Sequence, residues 1–479
     1  MVVERNKLFR PIFGLYIFFV FYLLLFLKIP VIVYIMFFPL FYYLYYTKKL
    51  HYIQILFLSF ISASINYSYF SGFGIKFYIL AVLAQMAFYT IFILVSFKLI
   101  RRSFYFISIP SFFFIVYYIL HFTVFNNYWL TYIGFTHILP ETLRLFGGFI
   151  HSSLIVMLNI ILFKVYLFSQ NKSFEIKFEN NLSIFLLVIL LLIFFITPFI
   201  SLYQESGGDN GYVKVLGIQT NNDMDWFERT NNISFLLESN LNQTKSSLQN
   251  HKADIVIWPE YTFSHYLNMD FSTLNSLSEF SDNYNITLIV GSTKLDNINS
   301  SESKRYNTLF IFNDGNISYY NAYKAITIFD PDIKLETRAQ EVLIENTSIG
   351  LSLCFEENFP SVFTRQIINN NPELFFVIGN QHYFDNEKGL YLTSLSSKLR
   401  AFESNRYIFR LETTGLTTII DNNGEYVKSL PVMTKSSLFY EIPRIKENTI
   451  YSRYSNYIDN SYFALSLLLL VLVLMRNRN

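Results

Sequence analysis

Three apolar runs in this sequence end in residues that could do chemistry together. ADIVIWPE stops at Glu260, ISYYNAYK at Lys324 and SIGLSLC at Cys354, the only cysteine in 479 residues. Singly, each has an ordinary explanation. A Pro-Glu after a strand is usually a turn, a Tyr-Lys usually a solvated face, and a lone cysteine usually a small buried hydrophobe. Together they supply what thiol acyl transfer needs when no histidine is at hand. A thiol with an ordinary pKa near ~8.5 is mostly protonated at neutral pH and needs a base or a cation beside it. A carboxylate can take the proton, and an ammonium can steady the thiolate and then a tetrahedral oxyanion.

Other chemistries find no foothold. The seven histidines show no metal-ligand spacing, and one cysteine excludes an internal disulfide and a Cys-rich metal site. No Gly-rich phosphate loop follows a strand, and no GxSxG elbow occurs. The net charge of +2 comes with no basic block large enough to track a nucleic acid. No cofactor, metal or nucleic-acid partner is expected.

The three residues need strands to hold them, and the stretch around them reads as alternating strands and helices. YVKVLGIQT (212–220), DIVIW (254–258) and ITLIVGST (286–293) are strands, with an amphipathic helix over 226–249 and another near 271–283. YNTLFIF (306–312) and ISYYNAYK (317–324) flank the turn signal Asn313-Asp314-Gly315-Asn316. SIGLSLC, ELFFVIGN (373–380) and RYIFRLETTG (406–415) follow, with a helix near 388–404 and a hairpin within LTTIIDNNGEYV (416–427). Strands with helices between them predict two sheets packed face to face, helices outside.

The rest of the chain belongs to a different solvent. Hydrophobic residues make up 52% of the sequence and charged ones 15%, against ~25% charged in ordinary soluble domains. The excess lies before Tyr203 and in SYFALSLLLLVLVLM (461–475). A helix needs roughly 20 apolar residues to cross a bilayer. Seven candidates lie near 9–27, 30–46, 51–67, 75–98, 104–124, 148–168 and 183–203, and the C-terminal run makes an eighth. The expected domains are therefore a transmembrane part (1–203), a catalytic part (204–457), and a C-terminal span with its tail (458–479). Placing both termini in the cytoplasm leaves only Lys28, Lys76 and Arg144 on the short outer connections. That lysine and arginine bias orients the chain and puts residues 204–457 outside the cytoplasm. The first apolar run leads straight into a second and lacks a small-residue cleavage site, so it reads as a span, not a signal peptide. Trp129 and Tyr132 suit an outer loop, 125–147, at headgroup level.

The pieces IVIWPEYTF, YNTLFIFNDG, YYNAYK, GLSLCFEENFP and GNQHYF, with KLRAFESNRYIFRLETTGLTTIIDNNGEYV, resemble the carbon–nitrogen hydrolase (nitrilase) superfamily. With seven spans before the domain and one after, they look specifically like its apolipoprotein N-acyltransferases. The resemblance implies an αββα sandwich facing the periplasm, carried by a helical bundle in a bacterial inner membrane. It implies Glu260 as general base, Cys354 as the nucleophile that becomes a thioester, and Lys324 with the backbone N–H of Phe355 as oxyanion donors. Glu356 matches the family's Cys-x-Glu carboxylate, which holds the lysine, and Trp226, Tyr383 and Phe384 fall where the family lines its acyl groove. The donor would be a phospholipid and the acceptor the α-amine of a diacylglyceryl-cysteine on an apolipoprotein. One stretch departs from the pattern: KAITIFDPDIKLE stands where the family carries Val-Pro-Phe-Gly-Glu, and Asp330 or Asp332 could take that glutamate's place. An alternative stays open, a membrane-bound amidase or hydrolase using the same Glu-Lys-Cys set with water as acceptor.

Overall fold

The computed structural model describes residues 12–21, 35–68, 72, 75–121, 141–170, 185–186, 188–189, 211–222, 233–263, 265–296, 303–324, 334–336, 342–344, 347–382, 384 and 387–476. The chain divides into two compact units, residues 1–205 with 454–479, and Ser206–Arg453.

The first unit is helical: α1 Ile12–Phe21, α2 Phe38–Tyr46, α3 Tyr52–Asn66, α4 Ile75–Leu99, α5 Tyr105–His121 and α6 Glu141–Gln170, joined by most of α11, Ile450–Arg476. Among the described residues α4, α6 and α11 are long and apolar enough to cross a membrane, and α1, α3 and α5 are shorter apolar helices. Rings fill its core, with Phe37, Phe92 and Phe113 meeting edge to face at 5.5–6.1 Å. The N–H of Phe37, at the start of α2, donates to Asn159 Oδ1 at 3.1 Å. Such a cap satisfies a helix-end donor that apolar surroundings would otherwise strand. Helix α6 starts seven residues earlier than the apolar run suggests and bends at Gly147, whose φ is 72°. The rest of the expected outer loop and nearly all of the span near 183–203 lie outside the described residues.

The second unit holds two six-stranded sheets. One contains β1 Tyr212–Gln219, β2 Ile255–Trp258, β3 Thr287–Asp296, β4 Lys304–Asn313, β5 Asn316–Asn321 and β12 Ser436–Pro443, in the order β12-β1-β2-β3-β4-β5. The other contains β6 Val342–Ile344, β7 Thr347–Leu353, β8 Leu374–Gly379, β9 Ile408–Glu412, β10 Thr418–Ile420 and β11 Tyr426–Ser429, in the order β11-β10-β9-β8-β7-β6. The central strands β1-β2-β3 and β7-β8-β9 run parallel, the outer ones antiparallel. Ile255, Ile257, Ile289 and Leu309 of the first sheet share a dry core with Leu351, Leu353, Phe376 and Leu411 of the second. Outside the first sheet pack α7 Ile233–Asn250 and α8 Phe271–Tyr284, through Leu236, Leu274, Leu277 and Phe280. Outside the second pack α9 Pro360–Asn370 and α10 Glu387–Ser404, through Val362, Phe363, Ile367 and Ala401. The layering is helix, sheet, sheet, helix. The central strands are apolar on both faces because both are covered, which is why DIVIW and ELFFVIGN read as continuous runs instead of alternating ones.

Two strands escaped the sequence reading. β12 pairs with β1 from Tyr212↔Pro443 to Gln219↔Ser436, a contact more than 200 residues apart in the chain, and β6 is a three-residue edge. Strand β5 also ends sooner than expected, so Lys324 stands three residues past it.

Candidate active site

Glu260 follows β2 in a tight turn that the neighbouring strand makes room for. A Cβ on Gly291 of β3 would lie 2.5 Å from Pro259 O and 2.6 Å from Glu260 Cα, so only glycine lets this backbone pass. Thr262 ties the turn down, its N–H donating to Gly291 O at 2.8 Å and its hydroxyl to Pro259 O at 2.7 Å. The Glu260 side chain is 3% exposed and accepts from Asn307 Nδ2 of β4 at 2.5 Å. The Cys354 thiol and the Asn380 N–H face it as further donors that favour its charged form. Burial pushes its carboxyl up to about 7, against those three donors, and the Glu356 charge adds to the rise.

Cys354 sits one residue past β7 in the left-handed region, φ 49°, and opens a short 3₁₀ turn, Cys354–Asn358. A non-glycine residue there is uncommon and is held by its surroundings. The turn aims the thiol at Glu260. Burial raises the thiol well above its ordinary pKa, and the carboxylates of Glu260 and Glu412 raise it further. The resting sulfur is therefore a protonated thiol, so ionisation must accompany attack.

Glu356, on the same turn, is fully buried and gathers four donors. Its Oε1 accepts from the N–H of Tyr323 at 2.5 Å and of Lys324 at 2.9 Å; its Oε2 accepts from Tyr320 Oη at 2.8 Å and the N–H of Leu353 at 2.7 Å. It thus pins the backbone of the Lys324 segment to the end of β7. Burial lifts its carboxyl to about 7 in spite of the four donors. The Lys324 ammonium stands over the rings of Tyr323 and Phe359, 5.4 and 5.8 Å from their centres. The structure thus brings Glu260 and Cys354 together directly, and Lys324 to them through its backbone and Glu356.

Of the other expected residues, Phe355 follows Cys354 in the turn, its ring 5.4 Å edge to face from that of Phe359. Phe384 is buried. Trp226, Tyr383, Asp330 and Asp332 lie outside the described residues. Glu336, six residues past Asp330, accepts from Asn321 Nδ2 at 3.2 Å.

Sequence reasoning missed a buried ionic group behind the turn. Arg410 of β9 grips Glu357 with two contacts at 3.0 Å and holds Glu412 at 2.8 Å, all three within a few per cent of complete burial. The signal was present: IFRLE (408–412) places two charges in an otherwise apolar strand, which demands that they pair. Asn307 and Asn380 were missed because an Asn beside a strand end has many ordinary uses. Among the described residues no group of three His, Cys, Asp or Glu could hold a metal ion.

Residues 228–447 match the carbon-nitrogen hydrolase family profile. This stretch is a carbon-nitrogen hydrolase domain. The chain that carries it is similar to curated apolipoprotein N-acyltransferases: 27% identical over 32% of the chain to that of Thermotoga maritima, 24% over 44% to that of Nitrosomonas europaea, and 22% over 49% to that of Photobacterium profundum. The aligned part spans 27%, 45% and 50% of those relatives. Among solved structures, a nitrilase-superfamily amidase from Nesterenkonia AN1 covers 52% of the chain and 97% of its own at 11% identity, TM-score 0.43. A carbon-nitrogen hydrolase from Helicobacter pylori covers 53% and 94% at 12% identity, TM-score 0.40.

Proposed function

We propose that this protein is a membrane N-acyltransferase that moves an acyl chain from a phospholipid to the free α-amine of a diacylglyceryl-cysteine on an apolipoprotein, through a thioester on Cys354. The observation that carries the reading is the buried Glu260 carboxyl beside the Cys354 thiol, a base poised on a nucleophile, in a carbon-nitrogen hydrolase domain. The similarity to curated apolipoprotein N-acyltransferases and the apolar helices favour a lipid donor and a lipoprotein acceptor over water.

In this reading Glu260 takes the thiol proton as sulfur attacks the ester carbonyl, and the oxyanion is held by Lys324 and the Phe355 N–H. The C–O bond then breaks, Glu260 returns the proton to the departing lysophospholipid oxygen, and the acyl-thioester remains. The acceptor amine attacks the thioester carbon, a C–N bond replaces C–S, and Glu260 carries the proton back to sulfur. Glu356 keeps the lysine segment in place, and Trp226, Tyr383 and Phe384 line the acyl groove. Seven spans in 1–203 and an eighth in 458–479 anchor the domain of 204–457 on the periplasmic side of the inner membrane.

The test is intact mass of the purified protein after incubation with phospholipid alone. Wild type gains one acyl group that hydroxylamine removes, with one burst of lysophospholipid per enzyme, and a diacylglyceryl-cysteine peptide restarts turnover. An N-acetylated peptide does not, and Cys354→Ala shows neither burst nor adduct. Steady release of free fatty acid without peptide identifies a hydrolase instead.

A further inference from the structure

The ends of β7, β8 and β9 form a row. Leu353 pairs with Ile378, and the next residue of β8, Gly379, pairs with Glu412, so Cys354, Gly379 and Glu412 stand side by side where the parallel strands stop. A Cβ on Gly379 would lie 2.7 and 2.9 Å from the two carboxyl oxygens of Glu412. The missing side chain is therefore the space the Glu412 carboxyl occupies, leaning across β8 toward the cysteine. The position that a Cβ of Gly415 would take lies 2.3 Å from Gln381 Oε1 and 3.1 Å from Glu412 Cγ, so these two side chains are neighbours.

Both present acceptors with nothing to accept. Glu412 is 1% exposed and Gln381 6%. Arg410 engages Glu412 Oε1, and Gln381 Nε2 donates to Thr393 Oγ1 at 2.5 Å. Among the described residues, Glu412 Oε2 and Gln381 Oε1 have no hydrogen-bond partner. Leaving a buried acceptor unmade costs about 1–3 kcal/mol. Two such acceptors beside a nucleophile match a ligand rich in N–H donors. The groups facing Glu412 are the Arg410 cation, Glu357 across that arginine, and the carboxyl of Glu260 and thiol of Cys354 beyond Gly379.

We propose that Glu412 and Gln381 form the subsite that receives the amine acceptor, and that Glu412 takes the proton the arriving ammonium must shed. This rests on the acyl-transfer reading above and extends it to the second half-reaction. The proton count makes the role specific. An ammonium brings three N–H protons to the thioester. One stays on the amide nitrogen, and one travels through Glu260 to the Cys354 sulfur. The third has to leave before nitrogen can attack, and Glu412 is a carboxylate placed to accept it. Burial lifts the Glu412 carboxyl to about 8 in spite of Arg410, so Glu412 becomes able to accept as the pH rises toward 8, the range in which an α-amine, ordinarily 7.7–8.0, still arrives partly as ammonium.

The experiment separates the half-reactions in the full-length protein in detergent. Enzyme is acylated with phospholipid, then mixed with a diacylglyceryl-cysteine peptide bearing a free amine, and both the lysophospholipid burst and the decay of the acyl-enzyme are timed. Glu412→Gln keeps the burst but slows aminolysis several-fold at pH 8, where the wild-type carboxyl is ionised and the amine is still partly ammonium. At about pH 9.5 the amine arrives neutral and most of that deficit disappears. Gln381→Met, which removes the acceptor oxygen, slows aminolysis several-fold with the burst intact and serves if Glu412→Gln does not fold. Unchanged aminolysis in both variants overturns the subsite, as does a deficit that persists at pH 9.5 or an equal loss in burst and aminolysis. In those cases the transfer reading stands, because wild type still forms and discharges its thioester; wild type that never forms one removes both.

Discussion

Glu260 is held where its proton affinity suits the base's role proposed for it. Its carboxyl is lifted from an ordinary 4.5 to about 7 because burial strips it of water faster than Asn307, Cys354 and the Asn380 N–H compensate. Below pH 7 the carboxyl keeps its own proton and cannot accept one from the thiol. The rate of thioester formation should therefore climb about tenfold per pH unit below that point and level off above it. The same shift has a consequence for stability. A raised carboxylate pKa means the folded state holds a proton that the unfolded chain releases, so stability is complete below about 4.5 and is lost as pH rises through 7. Glu260→Gln should abolish acylation and make the unfolding temperature less sensitive to pH between 5 and 8. A flat pH–rate profile in wild type would take Glu260 out of the base's role.

At the scale of elements, the site is a meeting of strand ends held by one short turn. The 3₁₀ turn Cys354–Asn358 carries the thiol at its start, Glu356 in its middle and Glu357 beside it. Glu356 ties this turn to the Lys324 segment through two N–H groups, while Glu357 ties it to β9 through Arg410. The turn is fastened on both sides. Glu356→Gln places an NH₂ among four groups that all donate, leaving at least one buried donor unmet at a cost of about 1–3 kcal/mol. The variant should unfold at a lower temperature, and acylation should fall with it as the Lys324 segment drifts from the turn. Wild-type melting and wild-type burst kinetics together would show that the four-donor cradle is dispensable.

For the whole molecule, the functional reading joins a domain built like a soluble enzyme to a chain that is otherwise apolar. The proposed topology, drawn from the lysine and arginine asymmetry, has the domain on the outer side of the membrane. The Asn313–Asn316 turn between β4 and β5 is exposed at Asp314 and Gly315, which makes it a fair reporter. In a Cys354→Ala background, Asp314→Cys should react with a membrane-impermeant thiol reagent in intact spheroplasts. Labelling only after lysis would turn the topology over and put the acceptor amine on the wrong side.

Chemical identity was legible one residue at a time. Glu260, Lys324 and Cys354 each end an apolar run, and a run can be read from neighbours alone, because burial of a central strand leaves its mark on every residue. The two-sheet layering followed from the same runs. The partners that tune the site could not be read this way. Asn307 reaches Glu260 across β3, Glu412 leans over a glycine of β8, and Arg410 faces Glu357 from a strand 53 residues on. Hydrogen bonds and charges act through space, and which strands lie beside each other is set by pairing whose register no local pattern records. Sequence thus named Cys354 and Glu260 as the proposed nucleophile and base, and tertiary structure decided how acidic each is and that the Glu412 carboxyl stands beside them.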